Sequence, residues 1–119
     1  MPKKILVIDD EFDFCEMVTD HLNMTGYHAF FAIDVQKGLE LARLERPDVV
    51  LLDILMPGIS GLQCLKLLKE EDPNVIVVIV SGMQDESIAK DAIQQGAYDY
   101  LTKPFELDYL ETNILSRLF

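Results

Sequence analysis

Positive charge is scarce in this chain: 10 Lys and Arg stand against 21 Asp and Glu, a formal net charge of −11. A surface so acidic does not grip a nucleic-acid backbone by itself; it favours cations and basic partner surfaces. Cysteine is scarce too. Cys15 and Cys64 are the only two, without metal-ligand spacing, and adding His21 and His28 makes no recognisable metal set. They read as buried structural thiols in a reducing compartment. No apolar stretch is long enough to span a membrane, and the opening Met1-Pro2-Lys3-Lys4 lacks the apolar core of a signal peptide. The expected location is the cytoplasm. Linkers, internal repeats and low-complexity tracts are missing as well.

What is present is enough for one domain. The chain has 119 residues, half of them apolar and about a quarter charged, which supports a core without disulfide staples. Short apolar runs alternate with helix-periodic stretches throughout. The runs Lys4–Ile8, His28–Ala32, Val49–Leu52, Val75–Val80 and Tyr98–Leu101 are mostly continuous, as in strands covered on both faces. Between them lie amphipathic segments. The first spans Phe12–Met24, with Phe14, Val18 and Leu22 on one face and Gly26 placed to stop it. The second spans Val35–Leu44, with Asp34 as N-cap and Pro47 beyond its end.

The third segment opens on the capping-box pattern Ser60-Gly61-Leu62-Gln63 and yields to the turn Asp72-Pro73-Asn74. The fourth, Glu86–Gln95, is expected to turn Ile88, Ala89, Ala92 and Ile93 inward. The fifth follows Pro104 and carries Leu107, Leu110, Ile114 and Leu118. Five βα units in strict alternation imply an open parallel sheet with helices on both faces. The abrupt finish at Leu118-Phe119 suggests the amino-terminal regulatory domain of a longer protein.

In a doubly wound sheet, ligands bind beyond the carboxyl ends of the strands. Those ends deliver Asp9 and Asp10 from strand one, Asp53 from strand three, Ser81 from strand four and Lys103 from strand five. Three carboxylates in one crevice repel one another, so they take up protons or collect a hard divalent cation. The set points to Mg²⁺-dependent phosphoryl chemistry.

Over nearly its full length the chain resembles the receiver domains of two-component response regulators. The motifs are Ile8-Asp9-Asp10, Asp53-Ile54-Leu55-Met56-Pro57-Gly58, Ser81-Gly82 and Lys103-Pro104, in order and at these spacings. The resemblance implies a flavodoxin-like fold with strand order 2-1-3-4-5 and five helices. It implies Asp53 as phosphoacceptor from a phosphohistidine on a sensor histidine kinase. Mg²⁺ would be held by Asp10, by Asp9 directly or through water, by Asp53 and by the backbone carbonyl of Leu55. Lys103 and Ser81 would contact phosphoryl oxygens, and Tyr100 would follow Ser81 as the aromatic switch residue. The Lys103-Pro104 bond is cis by the same resemblance.

Readout is expected on the surface of helix four, strand five and helix five, by an attached output domain regulating transcription or by a target protein. A phosphorylation-dependent homodimer is a further expected partner state. Asp91, Asp99, Glu106, Asp108 and Glu111 would give that face negative character, and Glu70, Glu71 and Asp72 read as a solvated helix end. Leu55 and Met83, both apolar, flank the path of attacking water, so self-dephosphorylation is expected to be slow.

Plainer readings exist for each residue. Asp10 can cap the first helix, with Asp9 and Glu11 favouring its dipole; Ser81-Gly82 is an ordinary turn; Tyr100 is an ordinary strand aromatic. Other functions compete too. A flavodoxin-like cofactor binder would want amides and hydroxyls after strand one, where Asp9-Asp10-Glu11-Phe12-Asp13 repels phosphate. A turnover hydrolase needs an acid or base that Ile54-Leu55 does not supply. A stand-alone receiver, or a non-phosphorylated scaffold acting by protein–protein contact, is the remaining alternative.

Overall fold

The computed structural model describes residues 2–56, 58, 60–82 and 86–119. Five strands, β1 (Lys4–Ile8), β2 (His28–Ala32), β3 (Val49–Asp53), β4 (Ile76–Ser81) and β5 (Asp99–Thr102), form one sheet. All four pairings are parallel and the order is β2-β1-β3-β4-β5. Between and after them lie α1 (Phe12–Met24), α2 (Val35–Glu45), α3 (Gly61–Glu71) and α4 (Glu86–Gln94). The fifth helix, α5, covers residues 107–118. This is the open parallel sheet covered by helices on both faces that the alternation implied, in the flavodoxin-like order, with five helices, that the family resemblance implied.

Strand side chains alternate between the two faces, and here both faces are covered. Ile5, Val7, Val49, Leu51, Val78 and Val80 pack with Cys15, Val18 and Leu22 of α1 and with Leu110, Ile114 and Leu115 of α5. Leu6, Ile8, Val50, Leu52, Val77 and Ile79 meet Val35 of α2, Cys64, Leu65 and Leu68 of α3, and Ala92 of α4. That two-sided burial explains why the strands read as unbroken apolar runs. It also puts Cys15 and Cys64 on opposite faces; burial pushes each thiol up to about 12.

Several boundaries and faces differ from the sequence reading. β4 and β5 each lie one residue further along, because the ladder takes in the polar pair Ser81 and Thr102. Backbone pairing rather than apolarity sets a strand's end. Ser60 does cap α3, its hydroxyl accepting from the Gln63 N–H at 3.2 Å. Ile93 is exposed rather than turned inward, since α4 is seated on the sheet through Ala92.

In α5 the stretch Glu111–Leu115 is a π-turn between Leu107–Leu110 and Ser116–Leu118. The wider turn brings Leu115 onto the buried face, a position that uniform 3.6-residue periodicity misses. Glu111, expected on the output surface, instead joins α5 to α1. Its Oε1 accepts from the Thr25 hydroxyl at 2.9 Å and lies 2.6 Å from His21 Nε2. Glu71 is likewise not simply solvated, because it bonds Arg43 across α2 and α3 at 2.9 Å.

Candidate functional site

Strand register assembles the site. Ile8 pairs with Leu52, so Asp9, one step on, stands level with Asp53 at the end of β3. Asp53 pairs with Val80, so Ser81 stands one step beyond it. Ser81 in turn pairs with Thr102, and the Lys103 N–H donates to the Ser81 carbonyl at 2.7 Å. Four segments far apart in sequence therefore end at one edge of the sheet. The cause is the crossover order: β1 and β3 are central neighbours, and every strand points the same way.

The acids are unevenly buried. Asp9 and Asp53 are buried and Ser81 is wholly inaccessible, whereas Asp10 is open to solvent. One carboxylate oxygen from each of Asp9, Asp10 and Asp53 lies within 4.8 Å of the others. All-oxygen donors at this spacing, with one ligand on the solvent side as an entry path, fit a hard divalent cation better than a soft metal.

Lys103 bridges the acids. Its Nζ donates to Asp9 Oδ2 at 2.6 Å and Glu11 Oε1 at 2.8 Å, and lies 3.9 Å from Asp53 Oδ2. The ammonium also sits 4.2 Å from the Phe14 ring centroid, and that ring meets Phe105 edge-on. Burial alone would lower the Lys103 pKa, but the hydrogen bonds to Asp9 and Glu11 and the charges of Asp9 and Asp53 outweigh it and raise it. Asp53 is raised by burial, with Asp9 and Asp10 adding to the shift; the Leu55 N–H and Lys103 act in the opposite direction. That N–H donates to Asp53 Oδ1 at 2.9 Å.

Other expected residues are placed as follows. Tyr100 is half-buried, packs against the cluster beneath α4, and lines an external pocket of about 390 Å³ with Leu101, Thr102, Phe105, Glu106 and Tyr109. The Lys103–Pro104 peptide is cis. Leu55 is exposed beside the site. Met83, and Pro57 of the motif after β3, lie outside the described residues.

Asp10 is not the N-cap of α1. Glu11 holds that position and makes no cap bond, while Asp9 Oδ1 accepts from the Glu11 N–H at 2.9 Å. The sequence reading missed the Glu11 and Phe14 contacts to Lys103. Glu11 looked like one more dipole-favouring acid and Phe14 like core, and nothing local links either to residue 103.

Strand-end acids on a doubly wound sheet, bridged by one half-buried lysine, define a receiver-type phosphorylation domain. The chain belongs to the response regulator receiver domain family, which it matches over residues 5–115. It is 33% identical over 108 residues to sporulation initiation phosphotransferase F of Bacillus subtilis, covering 91% of this chain and 87% of that one. It is 35% identical to the transcriptional regulatory protein CrdR of Helicobacter pylori, covering 96% of this chain but 54% of that protein. The chain thus spans about half the length of the latter. Among solved structures, the CheX–CheY–BeF₃–Mg complex of Borrelia burgdorferi contains a chain that superposes with a TM-score of 0.92 at 25% identity, covering 100% of this chain and 91% of that one. The family consists of phosphoacceptor switches rather than turnover enzymes. Among the described residues, no helix is long and apolar enough to cross a membrane.

Proposed function

We propose that Asp53 accepts a phosphoryl group from a sensor histidine kinase, and that residues 1–119 act as one switch domain. The observation that carries this reading is the buried Asp53 carboxylate within 4.8 Å of the Asp9 and Asp10 carboxylates and 3.9 Å from the Lys103 ammonium. Oδ1 is tied to the Leu55 N–H, which leaves Oδ2, the oxygen nearer Lys103, to attack phosphorus. An O–P bond forms, the N–P bond of the phosphohistidine breaks, and the imidazole leaves with the electron pair.

Asp9, Asp10, Asp53 and the Leu55 carbonyl would hold Mg²⁺, which supplies charge neutralisation for the incoming phosphoryl group. Lys103 and the Ser81 hydroxyl are the protein's own contacts for the phosphoryl oxygens. Movement of Ser81 toward them would let Tyr100 turn inward and reshape the pocket between β5 and α5. That is a two-state bias by local contacts. A partner reading the α4–β5–α5 surface would sense the change, in a cytoplasmic pathway that includes phosphorylation-dependent pairing of two copies.

CrdR, a transcriptional regulator by name, supports an attached output domain controlling transcription. The Bacillus relative, a phosphotransferase by name, favours the second reading of a stand-alone receiver. The deciding experiment for the chemistry is intact-mass measurement after incubation with acetyl phosphate. One added phosphoryl group is expected with Mg²⁺, and none with a chelator or in Asp53→Asn. No adduct where a control receiver is labelled would move the reading to a non-phosphorylated scaffold.

A further inference from the structure

Glu11 holds the N-cap position of α1 without capping it. Its side chain is 64% exposed, yet it reaches across the strand ends to Lys103. An ammonium has three N–H donors. Here one goes to Asp9 and one to Glu11, while the Phe14 ring lies against the same group at 4.2 Å. At 3.9 Å, Asp53 Oδ2 is outside hydrogen-bond range. The cation therefore rests on a perch made by α1 and the end of β1, beside the acceptor oxygen rather than on it.

A phosphoryl group on Asp53 would compete with these two carboxylates for the ammonium. The two carboxylates holding it are not equivalent. Asp9 is buried within the three-acid cluster, whereas Glu11 is not one of that cluster.

We propose that Glu11 is a positioning residue that competes with the phosphoryl group for Lys103 and so sets how readily Asp53 is modified. This rests on Asp53 being the phosphoacceptor, and it assigns a regulatory role to a residue outside the acceptor, lysine and metal-site positions. Without the Glu11 charge, the phosphoryl group has one fewer competitor for Lys103. An exposed pair of this kind corresponds to about a two- to fivefold change in an equilibrium.

The test uses the full chain as wild type, Glu11→Gln, and Asp13→Asn as a control that removes one nearby acid from the same helix turn. Labelling by acetyl phosphate with Mg²⁺ is followed by intact mass, and affinity for beryllofluoride, a phosphoryl mimic, by amide NMR shifts. The Lys103 ε-methylene resonance is recorded in metal-free protein. Glu11→Gln is expected to label faster and bind beryllofluoride more tightly, each by about two- to fivefold, and to move the Lys103 resonance. Asp13→Asn should do none of the three. If wild type labels at Asp53 but the two variants behave alike, or if the Lys103 resonance stays put in Glu11→Gln, this inference is overturned alone. If wild type takes up neither phosphoryl nor beryllofluoride, it falls together with the reading of Asp53.

Discussion

Gly61, the first residue of α3, ties the stability of the fold to the geometry of Asp53. Its N–H donates to the Ile54 carbonyl at 3.3 Å, so the helix start lies directly on the chain leaving β3. A Cβ placed there would collide with Ile54 Cα and come within 2.6 Å of Ile54 Cγ1. The first is a backbone atom and cannot rotate away. Overpacking of this kind costs about 1–3 kcal/mol, and a collision with main chain belongs at the upper end. For 119 residues the unfolding entropy is about 0.25 kcal/mol/K, so about 3 kcal/mol lowers Tm by about 12 °C.

Relief of that clash requires Ile54 and Leu55 to move, and the Leu55 N–H is what holds Asp53 Oδ1. Gly61→Ala should therefore melt about 12 °C lower and label with acetyl phosphate about tenfold more slowly, since displacement of a reacting group is costly. Gly82→Ala is the control. Among the described residues, nothing lies within 4 Å of a Cβ there, and its stability should stay within about 0.5 kcal/mol of the parent. Thermal melts by circular dichroism and a labelling time course test both parts. A Gly61→Ala protein melting within a few degrees of wild type and labelling at the parental rate would refute the argument that this contact positions Asp53.

Three other outcomes are expected. Arg46 ends α2 with φ 50° and ψ 61°. Arg46→Gly should stabilise the protein by about 0.5–1 kcal/mol, the relief of a left-handed backbone less the freedom glycine adds to the unfolded chain; an unchanged melting temperature would mean that the arginine side chain offsets that relief. Asp53 has a folded-state pKa raised above its ordinary 3.8, so the folded protein binds more protons and loses stability as pH rises from 3.8 through the raised value. In chelator, Asp53→Asn should thus melt above wild type at pH 7, with the gap closing as pH falls through the raised value and gone once pH is below 3.8; a gap independent of pH would contradict this. Replacing Leu55 by Asn together with Met83 by Glu should shorten the aspartyl-phosphate lifetime by giving attacking water polar partners, and equal decay of the two labelled proteins would dismiss the idea.

Much of the architecture is written in the pattern of residues. Short unbroken runs such as Val49–Leu52 can be strands only if both faces are covered, and their alternation with helix-periodic segments leaves little but a parallel doubly wound sheet. The candidate site was legible for the same reason. Acids, a serine and a lysine directly after apolar runs must gather at one edge once all strands point one way. The meeting of Asp9 with Asp53 followed from the sequence only if β1 and β3 are parallel neighbours, and the register supplies that pairing.

Other features depended on contacts between segments distant in sequence. No local signal makes Glu11 abandon the cap of its own helix for Lys103; an ammonium held among partly desolvated carboxylates outweighs a cap bond that glutamate makes poorly. The inward turn of Leu115 needs a π-turn that propensity does not announce, and Glu111 bonds Thr25 because α1 and α5 share a face of the sheet. Ser60-Gly61 read as a helix start, yet the need for glycine comes from Ile54, seven residues upstream. Sequence alone determined the elements, their order and the residue types at the strand ends, because burial periodicity and strand polarity are local in the chain. Only the tertiary structure decided which carboxylates hold Lys103, since that choice depends on distances of a few ångströms between segments that meet after folding.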